Sequence, residues 1–396
     1  PHVNILYDND LKRFTIERGS GVRGLSPIRN KFHGINIYAD KLELDLVYDN
    51  CLFFHKSIGR DLSVLIESDN YFDVSRYRDL LGDDINILVR LLDFIETKDL
   101  ANYYPLSEFS LFAGLNLETA LNYILNLEIF GIVDFRSFTN TFKVNTWALN
   151  FQDASKKNFD HDYFKIESLP TSSDTVADLD LILNEMNVYL VDKININKRF
   201  DFQLNIDQQR LTFFDDKSFY MDGVIQIGNF VFSGKNIVFN YYDFAFDFNK
   251  NSVLSFVKDQ TMQISASLIY FDKAKLRIDS CSNKSGINRL NNFPRFQVLD
   301  KSSFAYFDKT ISFILDPFEI DYLQDVSLSN LNFPGYLYGT SDSVNFRSIL
   351  KFDSDFNLAT KINNVDSAYL FNDKVLFNGD LSLNSRGLFA NGFFKS

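Results

Sequence analysis

The chain has 396 residues, is 45% hydrophobic and carries a formal net charge of −12, so it can bury a sizeable core and should hold two or three modules. An acidic surface argues against nucleic acid as a partner, because affinity for phosphates requires clustered Lys and Arg. The only cysteines, Cys51 and Cys281, exclude a disulfide-dense scaffold and a cysteine-based zinc site, but leave open whether they pair with each other. Since the sequence opens at Pro1, with neither Met nor a signal-peptide pattern, we expect it to be a fragment of a longer chain.

The aromatic content favours β-structure. The chain has 43 Phe and 19 Tyr against 1 Trp, a composition that suits half-buried strands. An AT-rich genome is the alternative explanation, because Asn, Lys, Ile and Phe codons rise together.

Residues 1–70 are predicted to form an N-terminal β segment. Leu42, Leu44 and Leu46 alternate with acidic residues, which indicates a strand with one wet face. The Gly-rich stretch at 19–24 is not followed by a helical pattern, so we interpret it as a flexible turn and not as a phosphate loop.

Residues 71–152 are predicted to form a helical module. The predicted order is a short helix, a turn, a longer helix over 117–130 and a hairpin that contains Trp147, which is the order of a winged helix. The longer helix carries Glu118 and Glu128 and no cation, so the module is a poor reader of DNA and a structural or protein-contact role is favoured. The expected helix-terminal residues are Asp83, Asp84, Ser107, Gly114, Asn116 and Gly131.

Residues 153–396 are predicted to form a repetitive, irregular β region. Candidate strands recur about every 8–12 residues, a spacing that a sandwich, a barrel or a solenoid would produce. The densest stretch, 223–248, changes the direction of its alternation between Tyr241 and Tyr242, which predicts a bulge or a tight corner there. The alternation that follows places four aromatic residues on one face, a candidate apolar ligand face for which core packing is the alternative: Tyr242, Phe244, Phe246 and Phe248.

No residue pattern indicates a catalytic, metal or cofactor site. His161 lies between Asp160 and Asp162, but no second histidine stands at ligand spacing, so we expect a solvated histidine in a polar linker. Several carboxylates occur in pairs, and we expect these pairs to be solvated: Asp83 with Asp84, Asp178 with Asp180, Asp215 with Asp216, and Asp353 with Asp355.

Several phrases of the sequence occur in a recognisable order. They are DGVIQIGNFVFSGKNIVFNYYDFAFDF, SNKSG at 282–286, FPRFQVLDKSSFAYFDK, FILDPFEIDYL and LSLNSRGLFANGFF. In this order they resemble a class of very large, uncharacterised β-rich proteins of Bacteroidota, and the helical stretch that ends in LNLEIFGIVDF resembles them too. The resemblance implies a long β-rich protein of the cell envelope, in the periplasm or associated with the outer membrane, and brings no functional residues with it. A looser similarity is to the β-groove proteins of the AsmA/TamB type, which carry lipid between membranes.

The sequence therefore predicts a mainly β protein, in irregular repetitive layers that are groove-like, solenoid-like or sandwich-like, with a winged-helix-like insertion. The leading hypothesis is a non-enzymatic structural or interaction protein of a bacterial envelope that has protein partners and no cofactor. A lipid-carrying β groove is the second hypothesis, and it is compatible with membrane contact. A carbohydrate-active enzyme on a β scaffold is the third, and the single Trp counts against it because sugar platforms favour Trp.

Overall fold

The computed structural model of the chain describes residues 3–18, 27–55, 63–81, 87–96, 98–145, 147–170, 175–200, 202–257, 264–290, 292–300, 302–305, 312–338, 345–370 and 375–395. The predicted Gly-rich turn at 19–24 and the predicted helix-terminal residues Asp83 and Asp84 lie outside these residues.

The prediction of a mainly β protein is confirmed, and the strands pair in antiparallel sheets. The strands of the N-terminal half are β1 (Val3–Asp8), β2 (Arg13–Arg18), β3 (Ile28–Asn30), β4 (Ile35–Ile37), β5 (Lys41–Asp45), β6 (Asn50–Phe54), β7 (Val64–Ser68), β8 (Tyr104–Pro105), β9 (Val133–Arg136), β10 (Thr141–Val144), β11 (Lys165–Ser168), β12 (Thr175–Asp180), β13 (Glu185–Val188) and β14 (Val191–Asn195). Those of the C-terminal half are β15 (Gln203–Ile206), β16 (Leu211–Asp215), β17 (Ser218–Ile227), β18 (Phe230–Asn240), β19 (Ala245–Phe248), β20 (Ser252–Val257), β21 (Ile264–Phe271), β22 (Ala274–Arg277), β23 (Arg295–Val298), β24 (Ser302–Ala305), β25 (Ser312–Leu315), β26 (Glu319–Ile320), β27 (Phe333–Tyr338), β28 (Asn345–Phe352), β29 (Leu358–Leu370), β30 (Val375–Asn384) and β31 (Gly387–Lys395). The helices are α1 (Val74–Leu81), α2 (Ile87–Ile95), α3 (Leu106–Ala113), α4 (Leu117–Ile129) and α5 (Trp147–Ser155), with short 3₁₀ turns at Asp207–Gln209 and Leu328–Asn330.

The chain divides into two compact units. Unit 1 comprises Pro1–Arg199, Gln209–Lys217 and Ser282–Ile287, and unit 2 comprises Phe200–Gln208, Ser218–Cys281 and Asn288–Ser396. The predicted module boundaries, after residues 70 and 152, stay predictions.

The described residues of unit 1 form two larger β-sheets and a helical part that includes a small sheet of β8, β10 and β9. Strands β1, β2, β5, β6, β12, β13 and β16 pair in that order, and β14, β11, β7, β4 and β3 pair in a second sheet. Phe164 and Phe213 meet edge to face, with ring centroids 6.1 Å apart, and both are buried. Aromatic packing therefore contributes to the core of this unit.

Hairpins of unit 1 share one kind of turn. Asp8, Asp45 and Asp180 each end a strand, and the Oδ1 atom of each accepts hydrogen bonds from the backbone N–H groups two and three residues later, at 2.8–3.1 Å. The fourth residue of each turn has positive φ: Lys12 (52°), Asp49 (49°) and Asn184 (54°). The acidic side chain thus supplies the acceptor that the turn amides need. Leu46, which the alternation of 42–46 placed in a strand, lies in one of these turns.

The helical part follows the predicted order up to the hairpin. The Asn116 side chain accepts a hydrogen bond from the N–H of Thr119 at 2.8 Å, and Gly114 ends α3 with φ 67°, as their sequence positions predict. Two predictions here are wrong. Helix α3 begins at Leu106, so Ser107 lies inside its first turn, and Trp147 begins α5 instead of lying in the hairpin formed by β9 and β10.

Unit 2 is a sheet that forks at β18. Residues Phe230–Ser233 of β18 pair with β20, whereas Val238–Asn240 pair with β19. One branch continues through β19, β22, β23 and β26. The other continues through β20, β21, β24, β25, β27, β28, β29, β30 and β31.

A β-bulge lies between the two branches. Gly223 on β17 pairs with Gly234, and Met221 pairs with Ile237, so two residues of β18, Lys235 and Asn236, lie opposite the single residue Asp222. The Oδ1 atom of Asp222, on the neighbouring strand, accepts the Asn236 N–H at 2.7 Å, and Asn236 has φ 50°. Because a bulge bends its strand, it allows β18 to serve both branches.

The same arrangement occurs twice in β29. The Asp380 side chain accepts the N–H of Asn364, and the Asn378 side chain accepts that of Ser367, at the two register shifts between β29 and β30. Each donor residue has φ 55°. An Asp or Asn acceptor opposite a positive-φ residue is therefore a recurrent way of bending these strands.

Phenylalanine side chains fill the space between the branches of unit 2. Phe232 and Phe296, from β18 and β23, have ring centroids 4.7 Å apart. Phe271, on β21 of the other branch, lies 5.4 Å from Phe296 and 5.7 Å from Phe248. All four side chains are buried, so the two branches close on a shared aromatic core.

Replacing Asp222 with Ala should destabilise unit 2 by about 1 kcal/mol, because the Asn236 N–H loses its acceptor. Asp222→Asn keeps an acceptor oxygen and should stay within about 0.5 kcal/mol of the wild type. Chemical denaturation followed by circular dichroism measures both. Equal losses in the two variants would show that the carboxylate charge, and not the acceptor, stabilises the bulge.

Candidate functional site

The four predicted face residues do not lie together on one face. Tyr242 is 57% exposed in the turn 241–244, whereas Phe244, Phe246 and Phe248 are buried. Phe246 packs against Phe239, with ring centroids 5.2 Å apart. The predicted corner between Tyr241 and Tyr242 is this turn, where the Asn240 side chain accepts the N–H of Asp243 and Phe244 has φ 50°. An apolar ligand face here stays a prediction, and the observed contacts of the three Phe are core contacts.

A cluster of buried and half-buried polar side chains in the described part of unit 1 surrounds Asp160, His161 and Asp162. The prediction of a solvated linker histidine is wrong, since His161 is 8% exposed and its ring centroid lies 4.9 Å from that of Phe72. This segment runs beside the end of β7. Tyr71 and Asp162 form a parallel bridge, and the Ser68 N–H donates to the Phe164 carbonyl at 3.1 Å.

Asp162 meets a buried lysine. Lys217 Nζ lies 3.3 Å from Asp162 Oδ2 and 2.9 Å from Asp69 Oδ1, and the Ser68 hydroxyl also donates to Asp162 Oδ2. The backbone N–H of Lys217 donates to the carbonyl oxygen of His33 at 2.9 Å, and this bond holds the turn that carries Lys217. Removing one partner of a buried ion pair is costly, so this cluster ties the end of β7 to the turn after β16.

Burial and the neighbouring carboxylates act on Asp216 in the same cluster. Burial is the main cause that raises the pKa of Asp216, and the ammonium of Lys217, 3.8 Å away, opposes it. Lys217 Nζ thus lies within 3.8 Å of three carboxylates, those of Asp69, Asp162 and Asp216, which together form a structural ion cluster.

Asp160 anchors a loop from far along the sequence. Its carboxylate accepts the N–H of Lys284 at 2.7 Å, the N–H of Ser285 at 3.0 Å and the Ser285 hydroxyl at 2.6 Å. The Asn197 side-chain amide donates to the Lys284 carbonyl at 3.1 Å. Gly286, with φ 69°, lies so close that a Cβ atom there would stand 2.8 Å from Asn197 Oδ1. The SNKSG phrase at 282–286 is therefore a docked loop of unit 1.

Burial disfavours the charged form of the two buried histidines in the described part of this unit. Burial is the main cause that lowers the pKa of His161. Asp160 and Asp162 favour the charged imidazole and so raise the pKa, whereas the positive charge of Lys198 lowers it. Burial likewise lowers the pKa of His33, whose ring nitrogens lie 2.9 Å from the Asn30 amide nitrogen and 3.0 Å from the Asn184 carbonyl. The amide can only donate, so we assign Nδ1 of His33 as acceptor and Nε2 as donor.

In the described part of the chain, members of the predicted carboxylate pairs accept hydrogen bonds from nearby side chains and backbone amides. Asp178 accepts hydrogen bonds from Tyr189 and Asn187. Asp353 accepts the N–H groups of Asp355 and Asn357 at 2.9 Å. These carboxylates hold turns and neighbouring strands, as Asp180 does.

The two cysteines do not pair with each other. Cys51 is buried, which raises its pKa to about 12, and Cys281 is exposed, and both are free thiols. Within the described ranges no cluster of three or more His, Cys, Asp or Glu residues could hold a metal. The helices in the part of the chain that the structure describes are too short or too polar to cross a membrane.

Sequence reasoning missed the roles of Asp160 and Asp162. A local signal exists, because aromatic residues flank the polar triplet on both sides: Phe159 before it, and Tyr163 and Phe164 after it. Flanking Phe residues indicate a segment that packs against the core, and polar groups buried with it are hydrogen-bonded. The identity of the partners, more than 50 residues away for Lys217 and more than 120 for Lys284, carries no local signal.

Asp160→Ala should destabilise unit 1 by about 3 kcal/mol, because two backbone amides and one hydroxyl lose a charged acceptor. Asp153→Ala, an exposed change on α5, is the control and should cost less than about 0.5 kcal/mol. Urea unfolding followed by the fluorescence of Trp147, which belongs to this unit, measures both. Similar midpoints for the two variants would refute the anchoring role.

Unit 1 should lose stability as the pH falls below about 6.5. The unfolded state binds protons at His33 and His161 near that value, whereas the folded state resists them because both pKa values are lowered. Asp216 acts in the opposite direction, since its raised pKa gives stability that is lost as the pH rises through the folded value. His161→Phe should make the free energy of unfolding less dependent on pH between about 5 and 7, measured from urea midpoints. An unchanged dependence would contradict the assignment.

Comparison of the chain with protein families, with curated proteins and with solved structures finds no match. Its function must therefore be inferred from its own residues.

Proposed function

We propose that the chain is a non-enzymatic structural or interaction protein of a bacterial cell envelope. The location is supported by the sequence resemblance described above. The interaction role is supported by the outer strands of unit 2, and one observation carries it: Phe393 is 85% exposed on a polar sheet face.

The face that carries Phe393 is built from β30 and β31. Phe389 and Phe393 alternate with Ala390 and Gly392, so they project on the same side of β31. Their cross-strand partners on β30 are Ser382 and Asn378. Two exposed aromatic rings among small polar side chains are typical of a contact site, because aromatic residues dominate the energy of protein interfaces.

The helical part of unit 1 supports a second contact surface. We infer that it is a winged-helix-like insertion, because α2, β8, α3, α4, β9 and β10 follow one another in the winged-helix order and β10 pairs with both β8 and β9. Its exposed residues at the turn between α3 and α4 are Leu111, Phe112 and Leu117, beside the acidic Glu118. Apolar and acidic side chains at this position favour a protein partner over DNA.

Site-specific photo-crosslinking in the producing cells tests the interaction role. A photoreactive phenylalanine analogue at position 393 should give a discrete crosslink to a protein in the envelope fraction. The same analogue at position 377, where the native Phe is fully buried, is the matched control and should give none. Absence of a protein crosslink at 393, or an equal yield at both positions, would contradict the proposal.

A lipid-carrying groove is the second candidate, and the opposite face of the same strands favours it. Phe377 and Leu381 of β30 are buried on that face, and the apolar row continues onto β31 through Leu388 and Phe394, where Phe394 is exposed. A lipid-carrying groove requires a lining of this kind, in which a row of apolar side chains continues from the core to an exposed residue. Crosslinks from position 394 to lipid, with none to protein from 393, would favour this candidate over the first.

A further inference from the structure

Four hairpin turns of unit 1 lie side by side. In the first sheet β1, β5 and β12 run in one direction, because neighbouring strands in the order β1, β2, β5, β6, β12 and β13 are antiparallel. The turns at 9–12, 46–49 and 181–184 therefore lie at the same end of this sheet. Backbone hydrogen bonds join them: the Leu46 N–H donates to the Lys12 carbonyl at 3.0 Å, and the Leu181 N–H donates to the Asp49 carbonyl at 2.9 Å.

The turn at 31–34, between β3 and β4, joins the same end. His33 Nε2 lies 3.0 Å from the carbonyl oxygen of Asn184, which closes the turn at 181–184. This turn has the same construction as the others, since the Asn30 side chain accepts the His33 N–H at 3.1 Å and Gly34 has φ 62°.

These four turns carry large exposed apolar side chains. Tyr48 is 75% exposed and Ile182 is 70% exposed. We call the whole set the apolar edge, and it consists of Leu11, Phe32, Leu46, Val47, Tyr48, Leu181, Ile182 and Leu183. Turn residues are ordinarily polar or small, so a row of apolar residues on adjacent turns has a binding partner as its simplest explanation.

We propose that the apolar edge inserts into the interfacial region of a lipid bilayer. Its side chains stand on the tips of adjacent hairpins at one end of a sheet, where exposed apolar groups can enter a lipid surface together. A tyrosine among aliphatic residues suits the headgroup level, where its ring is apolar and its hydroxyl stays wet.

The backbone amides at the turn tips have hydrogen-bond acceptors within the protein, which suits an environment without water. Asp45 Oδ1 accepts the N–H groups of Val47 and Tyr48, and Asp180 Oδ1 accepts those of Ile182 and Leu183. Backbone amides without partners are costly in lipid, and here these four have internal acceptors. Asp45 is paired with Arg13, whose Nη2 lies 2.9 Å from Asp45 Oδ2. The turns themselves carry two acidic and two basic residues, so the edge has no cationic excess to bind an anionic surface and the lipid partner is zwitterionic.

The apolar edge belongs to unit 1 and Phe393 to unit 2, so this proposal does not rest on the proposed interaction role and each can fail alone.

Cosedimentation of the full chain with phosphatidylcholine vesicles tests the insertion. The variant Val47→Ser/Tyr48→Ser/Ile182→Ser should bind roughly a hundredfold more weakly than the wild type, since three apolar side chains are lost from the contact. The control variant, Phe138→Ser/Leu169→Ser/Ile349→Ser, removes three apolar side chains that are also exposed but lie outside the apolar edge and outside the proposed contact surfaces, and it should bind like the wild type. Both variants should keep the wild-type unfolding midpoint, because the substituted side chains are exposed and the turn amides keep their acceptors.

Ile182→Trp provides a readout that does not depend on the loss of binding. Its emission, after subtraction of the wild-type signal from Trp147, should shift to shorter wavelength when vesicles are added. No vesicle binding by the wild type, or an equal loss in the two triple variants, would overturn the proposal. It would also be overturned if the wild type self-associates without vesicles and the first triple variant does not, because a second copy of the chain would then cover the apolar edge.

Discussion

Backbone amides at bends need acceptors, and in this chain Asp and Asn side chains supply them. Asp45 and Asp180 do so at hairpin turns, and Asp222 and Asp380 at β-bulges. An antiparallel β-protein with this many corners exposes many N–H groups that no ladder pairs, and each such group is costly when it is left without a partner. Part of the acidic charge of the chain is therefore a structural requirement of its turns.

The fork of unit 2 follows from this requirement. At the bulge in β18 the N–H of Asn236 turns away from the regular ladder and finds Asp222. The strand can then pair with β20 before the bulge and with β19 after it. Two branches that start from one strand can lie over each other, and Phe296 and Phe271 meet between them. The aromatic composition and the Asx acceptors are thus two parts of one architecture, since the bends bring together the faces that Phe fills.

Period-two alternation and helix caps allowed much of the fold to be predicted, because both depend on nearby residues. The alternation in Phe230–Phe232 and the cap at Asn116 are examples. The alternation failed where an Asx turn interrupts a strand: Tyr242 fits the period of Phe246 and Phe248, but the Asn240 side chain places it in a turn. The alternation in 223–248 predicts the position of this corner. Asn240, whose side chain accepts a turn amide, identifies the corner as an Asx turn.

The features that were not predicted depend on partners far along the chain, and no local sequence pattern shows which residues those partners are. The triplet Asp160, His161 and Asp162 resembles a solvated loop until Lys217 and the 282–286 loop are brought to it. The carboxylates of the chain look alike in sequence, yet one binds a lysine, one binds a distant loop and others hold turn amides. The turn aspartates leave a further trace that sequence can show, since the residues after Asp45 and Asp180 are apolar where turns are ordinarily polar. An acceptor at the base of a turn binds the amides of the tip, so the tip residues need not supply polar side chains for them. Apolar side chains can then occupy the tip without leaving its amides unpaired.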